Sequence, residues 1–411
     1  MQAATPLLPI DQALAQVLAQ VLPLATEMLP LSAATGRYLA MDALADADQP
    51  AFDRAMMDGV ALRSADAQVA GAVLRQVGQT MAGHSEQNLV NIGTCVRIMT
   101  GGVLPLGADA IVPVERIERV DDEHWRILDA TRAEQHIARK GTELHAGEPV
   151  VRAGQRLHGA RMGALAAFGH ASVRVARQPQ VALLPNGDEL VAIDAAVGLG
   201  QVRDSNRYAL TALLQQSGAA VIQCPAAIDT RQGLSESIAA AWEQADIVVL
   251  SGGASAGDRD FVAPVLLDLG AHIHVRQIRI KPGKPFLFAT RDLADGRRQL
   301  AFGLPGNPLA SYVCAALFVL PALVAGQGGD PAWQIGRLPS SRVLPAIGPR
   351  TELLPANLIA TATGAQIDVL TVRSSADLPH FAAGEWLAIR QAHAPALAVG
   401  DGVDFLLWPR I

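Results

Sequence analysis

A turn built of six small residues follows an apolar run near the middle of the chain. Residues 246–251 read Asp-Ile-Val-Val-Leu-Ser, and residues 252–257 read Gly-Gly-Ala-Ser-Ala-Gly. Asp258, Arg259 and Asp260 follow at once. Small residues allow backbone N–H groups to approach a bound anion, and two nearby carboxylates can hold a divalent cation that neutralises it. The pattern predicts a cradle for a phosphate or an oxyanion, with a metal beside it.

Two other interpretations of this turn stay open at the sequence level. Residues 253–257 fit G-x-S-x-G, the nucleophile elbow of α/β-hydrolases, with Ser255 as the nucleophile. A catalytic triad would also need a downstream Asp and His, but His272 and His274 follow too soon and alternate like strand residues. The turn could also be purely structural, with its charges solvated.

Two further segments strengthen the prediction of an anion site. In residues 302–312, Asn307 can cap a helix and Pro308 suits its first position, so free N–H groups would face an anion. The chain has 30 arginines but three lysines, and Lys281 and Lys284 lie three residues apart. A lysine ammonium acts as a point charge at phosphate. Together these segments predict an extended anionic ligand, although neither a P-loop nor a G-x-G-x-x-G motif is present.

Several carboxylates lie in turns that follow predicted strands. Asp188 and Glu189 belong to such a turn, and Asp229 to another, where a solvated loop is an equal alternative. Asp204 can simply cap a helix, and Asp58 can be an ordinary loop residue. Several carboxylates beside phosphate cradles suit Mg²⁺, which prefers oxygen ligands.

The elements around these residues change along the chain. From residue 179, strands alternate with helices of about 10 to 15 residues, which predicts a parallel sheet with right-handed crossovers. Ligands bind at the carboxyl ends of such strands, so the glycine-rich turns should meet at one edge. Residues 8–45 are predicted as an amphipathic helix capped by Asp11, and residues 70–145 as β-rich. Residues 328–411 return to short β-like runs.

Composition excludes several classes of protein. The length of 411 residues suggests two to four domains, while the net charge of −6 and 4% aromatic content argue against nucleic-acid binding. Cys95, Cys224 and Cys314 form no CxxC pair, which fits a reducing cytoplasm. No Lys or Arg precedes Arg37, which argues against a secretory signal. The uncharged residues 299–327 contain prolines and glycines, and we expect a buried core helix there rather than a membrane span.

Six segments, in order along the chain, resemble one family closely: the molybdopterin molybdenumtransferases, the MoeA and gephyrin E-domain group. The segments are PAFDRAMMDGVAL (50–62), RIMTGGVLPLGADAIVPVE (97–115), GQVRDSNR (200–207), SGGASAGDRDF (251–261), KPGKPFLF (281–288) and GLPGNP (303–308). One such segment alone would be weak support, but six collinear ones are very specific.

The resemblance implies a function. The family hydrolyses an adenylylated molybdopterin with a divalent cation, here expected to be Mg²⁺, inserts molybdate at the dithiolene and releases AMP. It implies a cytoplasmic homodimer whose site combines Asp58 and Thr100 of one subunit with the α/β and tail domains of the other. Transient contacts with a molybdopterin adenylyltransferase and with cofactor-receiving enzymes are also expected. Binding to a membrane or to nucleic acid is not expected.

The resemblance also implies an α/β plus β fold of four domains. An elongated N-terminal domain, helical and extended, spans 1–45 and 146–178, and a β-rich insert spans 46–145. A central three-layer α/β domain with a parallel-rich sheet, residues 179–327, binds molybdopterin, and a β-barrel spans 328–411.

The family's functional positions carry over residue by residue. The expected catalytic residues are Asp58, Glu189, Asp229 and Lys284. The expected metal ligands are Glu189, Asp258 and Asp260. The expected substrate-binding residues are Thr100, Gly252, Gly253, Ser255, Lys281, Gly306, Asn307, Arg350 and Ser375. The two lysines would neutralise phosphate and incoming molybdate, and Asp58 and Asp229 would orient the attacking water or the pterin.

Two departures from the family pattern keep other functions open. The family has Ser-Thr where this chain has Pro185-Asn186, which removes two hydroxyls from a phosphate contact, and Asp where this chain has Glu143. A relative that only holds the pterin is therefore one alternative, and a molybdopterin adenylyltransferase is another, although the extra β-rich segments argue against the latter. A serine hydrolase acting through Ser255 is the remote alternative.

Overall fold

The structure is a computed structural model that describes residues 7–83, 88–228, 230–253, 261–362 and 364–407. The chain divides into two compact units. Unit 1 comprises Met1–Met41, Ala153–His158 and Ser172–Ile411, and unit 2 comprises Asp42–Arg152 and Gly159–Ala171.

The regular elements of the described residues are numbered in chain order. The helices, α1 to α8, are Ile10–Leu18, Gly159–Ala167, Ser205–Gln216, Arg231–Gln244, Val262–Asp268, Pro308–Cys314, Leu320–Gly326 and Leu378–Ala382. The strands, β1 to β26, are Thr26–Pro30, Ala43–Leu44, Arg54–Ala55, Gly59–Leu62, Val73–Thr80, Thr94–Ile98, Ala110–Pro113, Ile117–Arg119, His124–Ile127, Ile137–Ala138, Pro149–Val151, Ser172–Ala176, Gln180–Pro185, Leu190–Val191, Val202–Arg203, Ala220–Gln223, Ile247–Ser251, His272–Arg276, Ile280–Lys281, Leu287–Asp292, Arg298–Leu304, Ile335–Pro339, Thr351–Thr361, Gly364–Val369, Trp386–Arg390 and Gly402–Leu406.

The main sheet of unit 1 has the strand order β16-β13-β17-β21-β20-β18. The first four strands are parallel, as the sequence predicts. Strands β20 and β18 are antiparallel to their neighbours, which the sequence analysis did not predict. The connection from β20 to β21 is a tight turn at Asp295 and Gly296, and so short a connection can join only antiparallel neighbours.

Helices cover both faces of this sheet because its buried strands are apolar on both sides. Val181 and Leu183 pack into a core with α1, α3, α6 and α7. The alternate residues Ala182 and Leu184 point to the other face and pack with α4 and α5. The carboxyl ends of the parallel strands are thereby held in one rigid edge.

The uncharged stretch of the sequence forms a helical segment in the core of unit 1. Helices α6 and α7 are joined by the π-helical turn Ala315–Val319. The segment Pro308–Gly326 is long and apolar enough to cross a membrane, but 83% of its apolar window is buried inside the protein. It therefore lies where the sequence analysis placed a core helix.

The helix predicted for residues 8–45 is much shorter in the structure. Helix α1 ends at Leu18, and β1 follows and pairs with β12. Pro23 and Pro30 lie in this segment, and proline lacks the N–H that would continue a helix. The expected cap at Asp11 is also wrong, because Pro9 is the N-cap residue and Asp11 lies within the first turn.

The tail forms a second sheet in unit 1, of order β19-β23-β25-β26-β22, with β24 paired to β23. Strand β19 comes from the lysine segment and runs parallel to the start of β23. This pairing attaches Lys281 directly to the tail sheet.

Unit 2 contains a six-stranded sheet of order β7-β4-β6-β5-β9-β8. Its core includes Val60, Leu62 and Ile127, all fully buried. The chain thus has a multi-domain α/β plus β fold, as predicted. The boundaries of four domains and a closed barrel in the tail stay predictions.

Candidate functional site

A pocket of about 1410 Å³ opens in unit 1 at the carboxyl ends of the parallel strands. Asn186 follows β13, Gly252 follows β17 and Gly306 follows β21, and all three line the pocket. The glycine-rich turns therefore meet at one edge of the sheet, as the strand–helix alternation predicts. The lysine segment and parts of the tail complete the lining.

The first two positions of the turn after β17 require glycine. Gly252 has φ +101°, and a Cβ there would lie 2.2 Å from the carbonyl oxygen of Asn186. Gly253 has φ +74°, and its Cβ would lie 2.3 Å from Nδ2 of Asn186. The Asn186 N–H donates to the Ser251 carbonyl at 2.9 Å, so the residue is fixed beneath the turn. Asn186 thus shapes the turn from the position where the family pattern has a hydroxyl residue.

Asn206, in the first turn of α3, joins two of the pocket turns. Its Nδ2 donates to Ser251 Oγ at 2.8 Å and to the Gly306 carbonyl at 2.7 Å. Because the carbonyl can only accept, these bonds fix which atom of the carboxamide is nitrogen. Asn206 lies in the family-like segment 200–207, but its role is not predictable from the sequence because its partners lie 45 and 100 residues further along the chain.

The neighbouring Asp204 is the N-cap of α3. Its Oδ1 accepts from the Arg207 N–H at 3.0 Å, and its Oδ2 accepts from Arg207 Nε at 3.0 Å. Arg207 also donates to the Cys224 carbonyl at 2.9 Å. Asp204 therefore has the structural role that the sequence analysis offered as its alternative, and it holds the helix that carries Asn206.

The two lysines of the pocket are in different environments. Lys281 Nζ donates to Glu352 Oε1 at 2.9 Å. Lys284 has no such ion-pair partner within the described ranges, and its side chain is exposed at the pocket. The sequence predicts one role for both lysines, but among the described residues a carboxylate pairs with Lys281 and none pairs with Lys284.

The described pocket lining is rich in cations. Six basic and three acidic side chains contribute to it. Arg350, predicted from the sequence, lies there together with Arg203, Arg342 and Arg373, which the sequence analysis missed. Arg203 lies within the family-like segment 200–207 but has no predicted role there, and nothing in the six segments marks Arg342 or Arg373, so the fold reveals all three as pocket residues.

The tail also contacts the turn that precedes α6. Asn307 Nδ2 donates to Ser375 Oγ at 2.8 Å, and the Leu309 N–H donates to the Ser375 carbonyl at 3.2 Å. Asn307 occupies the N-cap position and Pro308 is in the first turn, as predicted, but the Asn307 side chain makes no capping bond. The structure therefore brings the predicted residues Asn307 and Ser375 into direct contact.

Asp58 and Thr100 lie together in unit 2. Asp58 Oδ1 accepts from Thr100 Oγ1 at 2.6 Å and from the Thr100 N–H at 2.7 Å. The Thr100 hydroxyl, its N–H and the nearby Arg97 hold the pKa of Asp58 below its ordinary value. Asp58 is therefore an ionised acceptor at neutral pH.

Several predicted site residues lie outside the described ranges: Ser255, Asp258, Asp260 and Asp229. Glu189, the remaining predicted metal ligand, lines the pocket. In the described ranges, no cluster of three or more His, Cys, Asp or Glu residues could hold a metal ion. His272 and His274 lie on the edge strand β18 and do not belong to the described pocket lining.

Comparison with known proteins identifies the family. The MoeA N-terminal region (domain I and II) matches residues 8–169, and a probable molybdopterin binding domain matches residues 182–325. A molybdopterin molybdenumtransferase of Nostoc sp. is 37% identical over 313 residues, which cover 75% of this chain and 71% of that relative. The chain belongs to the molybdopterin molybdenumtransferase (MoeA) family.

Other members of the family agree over longer alignments. The molybdopterin molybdenumtransferase of Haemophilus influenzae is 34% identical over 331 residues, which cover 80% of each chain. A solved molybdopterin biosynthesis MoeA protein from Pyrococcus horikoshii is 28% identical, with a TM-score of 0.77, over 98% of this chain and 99% of that one. The family resemblance of the motifs is confirmed, and the chain is accordingly a transferase of molybdenum cofactor biosynthesis.

Proposed function

We propose that this transferase inserts molybdate into adenylylated molybdopterin and releases AMP in a step that depends on Mg²⁺. The pocket at the strand ends carries this proposal. It combines two glycine-bearing turns, an unpaired Lys284 among the described residues, and arginines from the tail. A ligand with phosphates at one end and a bulky heterocycle at the other suits such a lining.

The size and charge of the pocket favour an extended anion. Typical small-molecule pockets measure roughly 300 to 1,000 Å³, so about 1410 Å³ exceeds what a single phosphate needs. Basic side chains outnumber acidic ones in the described lining, and Asp204 and Glu352 already have cationic partners. Arg342 is paired with Asp368, which leaves Arg203, Lys284, Arg350 and Arg373 without an ion-pair partner among the described residues and available to a ligand.

One described carboxylate at this edge is a suitable donor for the predicted metal. Glu189 offers a carboxylate in the pocket, and carboxylate oxygens are the ligands that Mg²⁺ prefers. Glu189 would hold the ion together with Asp258 and Asp260. When bound, Mg²⁺ supplies positive charge at the phosphate that becomes AMP.

The chain's own residues perform the other parts of the proposed mechanism. Lys284 places its ammonium where negative charge develops on the phosphate or on molybdate. The rigid turn at Gly252 and Gly253 lets the ligand approach the backbone closely. Asp58, ionised and fixed by Thr100, would orient the attacking water or the pterin, and Asp229 is proposed for the same task.

We infer a cytoplasmic homodimer in which Asp58 and Thr100 of one subunit serve the pocket of the other. A mixture of the two impaired variants Asp58→Asn and Lys284→Ala tests this arrangement. In a mixed dimer, one site combines the intact Asp58 of one subunit with the intact Lys284 of the other. Mixed after co-refolding, they should regain up to about a quarter of the wild-type activity, as half of the dimers then carry one intact site. No recovery would contradict the shared site. Contacts with the adenylyltransferase and with receiving enzymes are further proposals.

A second candidate function, holding the pterin without chemistry, is favoured by one observation. Asn186 is buried beneath the glycine turn, and its Oδ1 has no hydrogen-bond partner in the described part of the chain. A turn altered in this way could bind ligand yet fail to support hydrolysis. Tight binding of adenylylated molybdopterin without AMP release would identify this function.

A matched pair of variants tests the proposed site. Lys284→Ala should lower the turnover of AMP release by more than about tenfold, because it removes one preorganised charge. Arg297→Ala removes one positive charge from an exposed turn outside the described pocket lining and should leave turnover near the wild-type value. Near-normal turnover of Lys284→Ala would remove this lysine from the mechanism.

A further inference from the structure

The ion pair between Lys281 and Glu352 links the lysine segment to the tail. Strands β19 and β23 run parallel with Lys281 opposite Glu352, and Nζ lies 2.9 Å from Oε1. The Glu352 side chain is 17% exposed, whereas the Lys281 side chain is 59% exposed. The carboxylate is therefore the more buried partner and the ammonium the more exposed one, and both residues line the pocket.

Glu352 has a second cation on its other side. Arg390 lies directly opposite Glu352 in the antiparallel pairing of β23 with β25. Arg390 is 4% exposed, and its guanidinium donates to the carbonyls of Pro345 at 3.2 Å and Pro395 at 2.6 Å. Burial lowers the pKa of Arg390 and the Glu352 charge opposes this effect. Glu352 is therefore the cross-strand carboxylate whose charge favours the ionised guanidinium, although the hydrogen bonds of Arg390 go to the two carbonyls.

Because Glu352 lies between two cationic residues in the sheet, its ion pair with Lys281 can break without leaving the carboxylate far from positive charge. If an anion binds Lys281, Arg390 remains the cross-strand neighbour of Glu352, so the carboxylate keeps one cation nearby. Because the Lys281 end of the pair is mostly exposed, solvent screens the interaction in part, and a doubly charged oxyanion can compete for the ammonium. Lys284, which lacks such a partner in the described ranges, needs no exchange of this kind.

We propose that Glu352 is a displaceable counter-ion of Lys281 and that it lowers the affinity with which Lys281 binds a tetrahedral oxyanion. The anion would be molybdate or a substrate phosphate under the proposed function, on which this inference rests. Glu352 acts through Lys281 and is a positioning residue. The ion pair with Glu352 distinguishes Lys281 from Lys284, two lysines that the segment 281–288 alone does not tell apart.

Calorimetric titration of the full chain with molybdate, and separately with sulfate, at constant ionic strength tests this role. Glu352→Gln should bind molybdate about fivefold more tightly, which corresponds to the loss of one exposed ion pair that competes with the ligand. In a Lys281→Gln background, the same Glu352→Gln change should have no effect. Unchanged or weaker binding by Glu352→Gln would overturn the proposal. An equal gain in the Lys281→Gln background would also overturn it, because Glu352 would then act by general repulsion.

A conservative variant guards against loss of the fold. Glu352→Gln leaves Arg390 without its carboxylate, whereas Glu352→Asp keeps the charge in the sheet and withdraws it from Lys281 by one methylene. Should Glu352→Gln unfold, Glu352→Asp decides: it should bind molybdate more tightly than the wild type, and equal or weaker binding overturns the inference. Titration needs no turnover, so a chain without AMP release but with these shifts would refute the transferase mechanism alone.

Discussion

Asn206 Nδ2 lies 2.8 Å from Ser251 Oγ, at the end of the strand that leads into the glycine turn. The same nitrogen reaches the Gly306 carbonyl in the turn after β21. One side chain in the first turn of α3 therefore fixes the separation of two pocket turns. If both turns contact the same ligand, that separation must match the ligand.

Asn206→Ala should lower kcat/KM for AMP release by about tenfold or more, since small displacements of positioning groups cost large factors in rate. Ser251→Ala removes only one of the two bonds and should have a smaller effect. Steady-state kinetics of both variants measures this difference. Equal losses, or none for Asn206→Ala, would show that the turns hold their spacing without the carboxamide.

Gly253→Ala should disrupt the pocket, because the added Cβ would meet Asn186 Nδ2 at 2.3 Å in addition to the strain of φ +74°. Gly296→Ala is the matched control, since φ is +84° there and nothing lies within 4 Å of the new Cβ. Strain alone costs about 1 kcal/mol in the control. Urea unfolding should show a clearly larger loss for Gly253→Ala, and equal losses would contradict the contact with Asn186.

The sequence predicts correctly that several residues from separate segments meet at one pocket. The glycine turns, Lys284 and Arg350 all line the pocket, because strand–turn–helix order places the ends of parallel strands together. Relationships across long sequence separations were not predictable. Glu352 is 71 residues from Lys281, and no local pattern indicates that the tail supplies a counter-ion.

Errors in predicting the fold have local physical causes. Residues 8–45 carry helical periodicity at their start, but the hydrophobic pattern does not show where prolines end the helix. The antiparallel strands β20 and β18 were missed because apolar runs look alike in parallel and antiparallel strands. The tight turn at Gly296, where φ is positive, makes β21 run antiparallel to β20. The hydrophobic pattern of the strands does not reveal this turn.

Thr100→Val should raise the pKa of Asp58 toward its ordinary value of 3.8, because the hydroxyl that donates to the ionised carboxylate is lost. The N–H of residue 100 remains, so the rise should be partial. Titration of the side-chain carboxyl carbon by NMR measures it. An unchanged or lower pKa would show that the hydroxyl does not favour the ionised form.

The direction of this shift fixes the pH range in which it acts. The folded-state pKa of Asp58 is depressed, so the ionised carboxylate stabilises the fold above its unfolded pKa. This contribution is lost as the pH falls through the lower folded value. The wild type should therefore be more stable than Thr100→Val at neutral pH, and the two free energies of unfolding should converge as the pH falls below about 4 and Asp58 becomes protonated in both proteins.

The cysteines should be poor nucleophiles in the native protein. Burial raises the pKa of Cys95 to about 12 and raises those of Cys224 and Cys314. Cys95 and Cys314 are buried, and Cys224 is partly exposed. A chromogenic thiol reagent at pH 8 should label at most Cys224 quickly, and all three after denaturation. Fast labelling of two or three thiols in the native state would contradict the described packing.

AMP release from adenylylated molybdopterin by the purified wild-type chain tests the central claim most directly. Four reactions are needed: with both Mg²⁺ and molybdate, with each alone, and with neither. We predict rapid AMP release and incorporation of molybdenum only when both are present. Bound adenylylated molybdopterin without AMP release in any of the four reactions would contradict a catalytic role for this pocket.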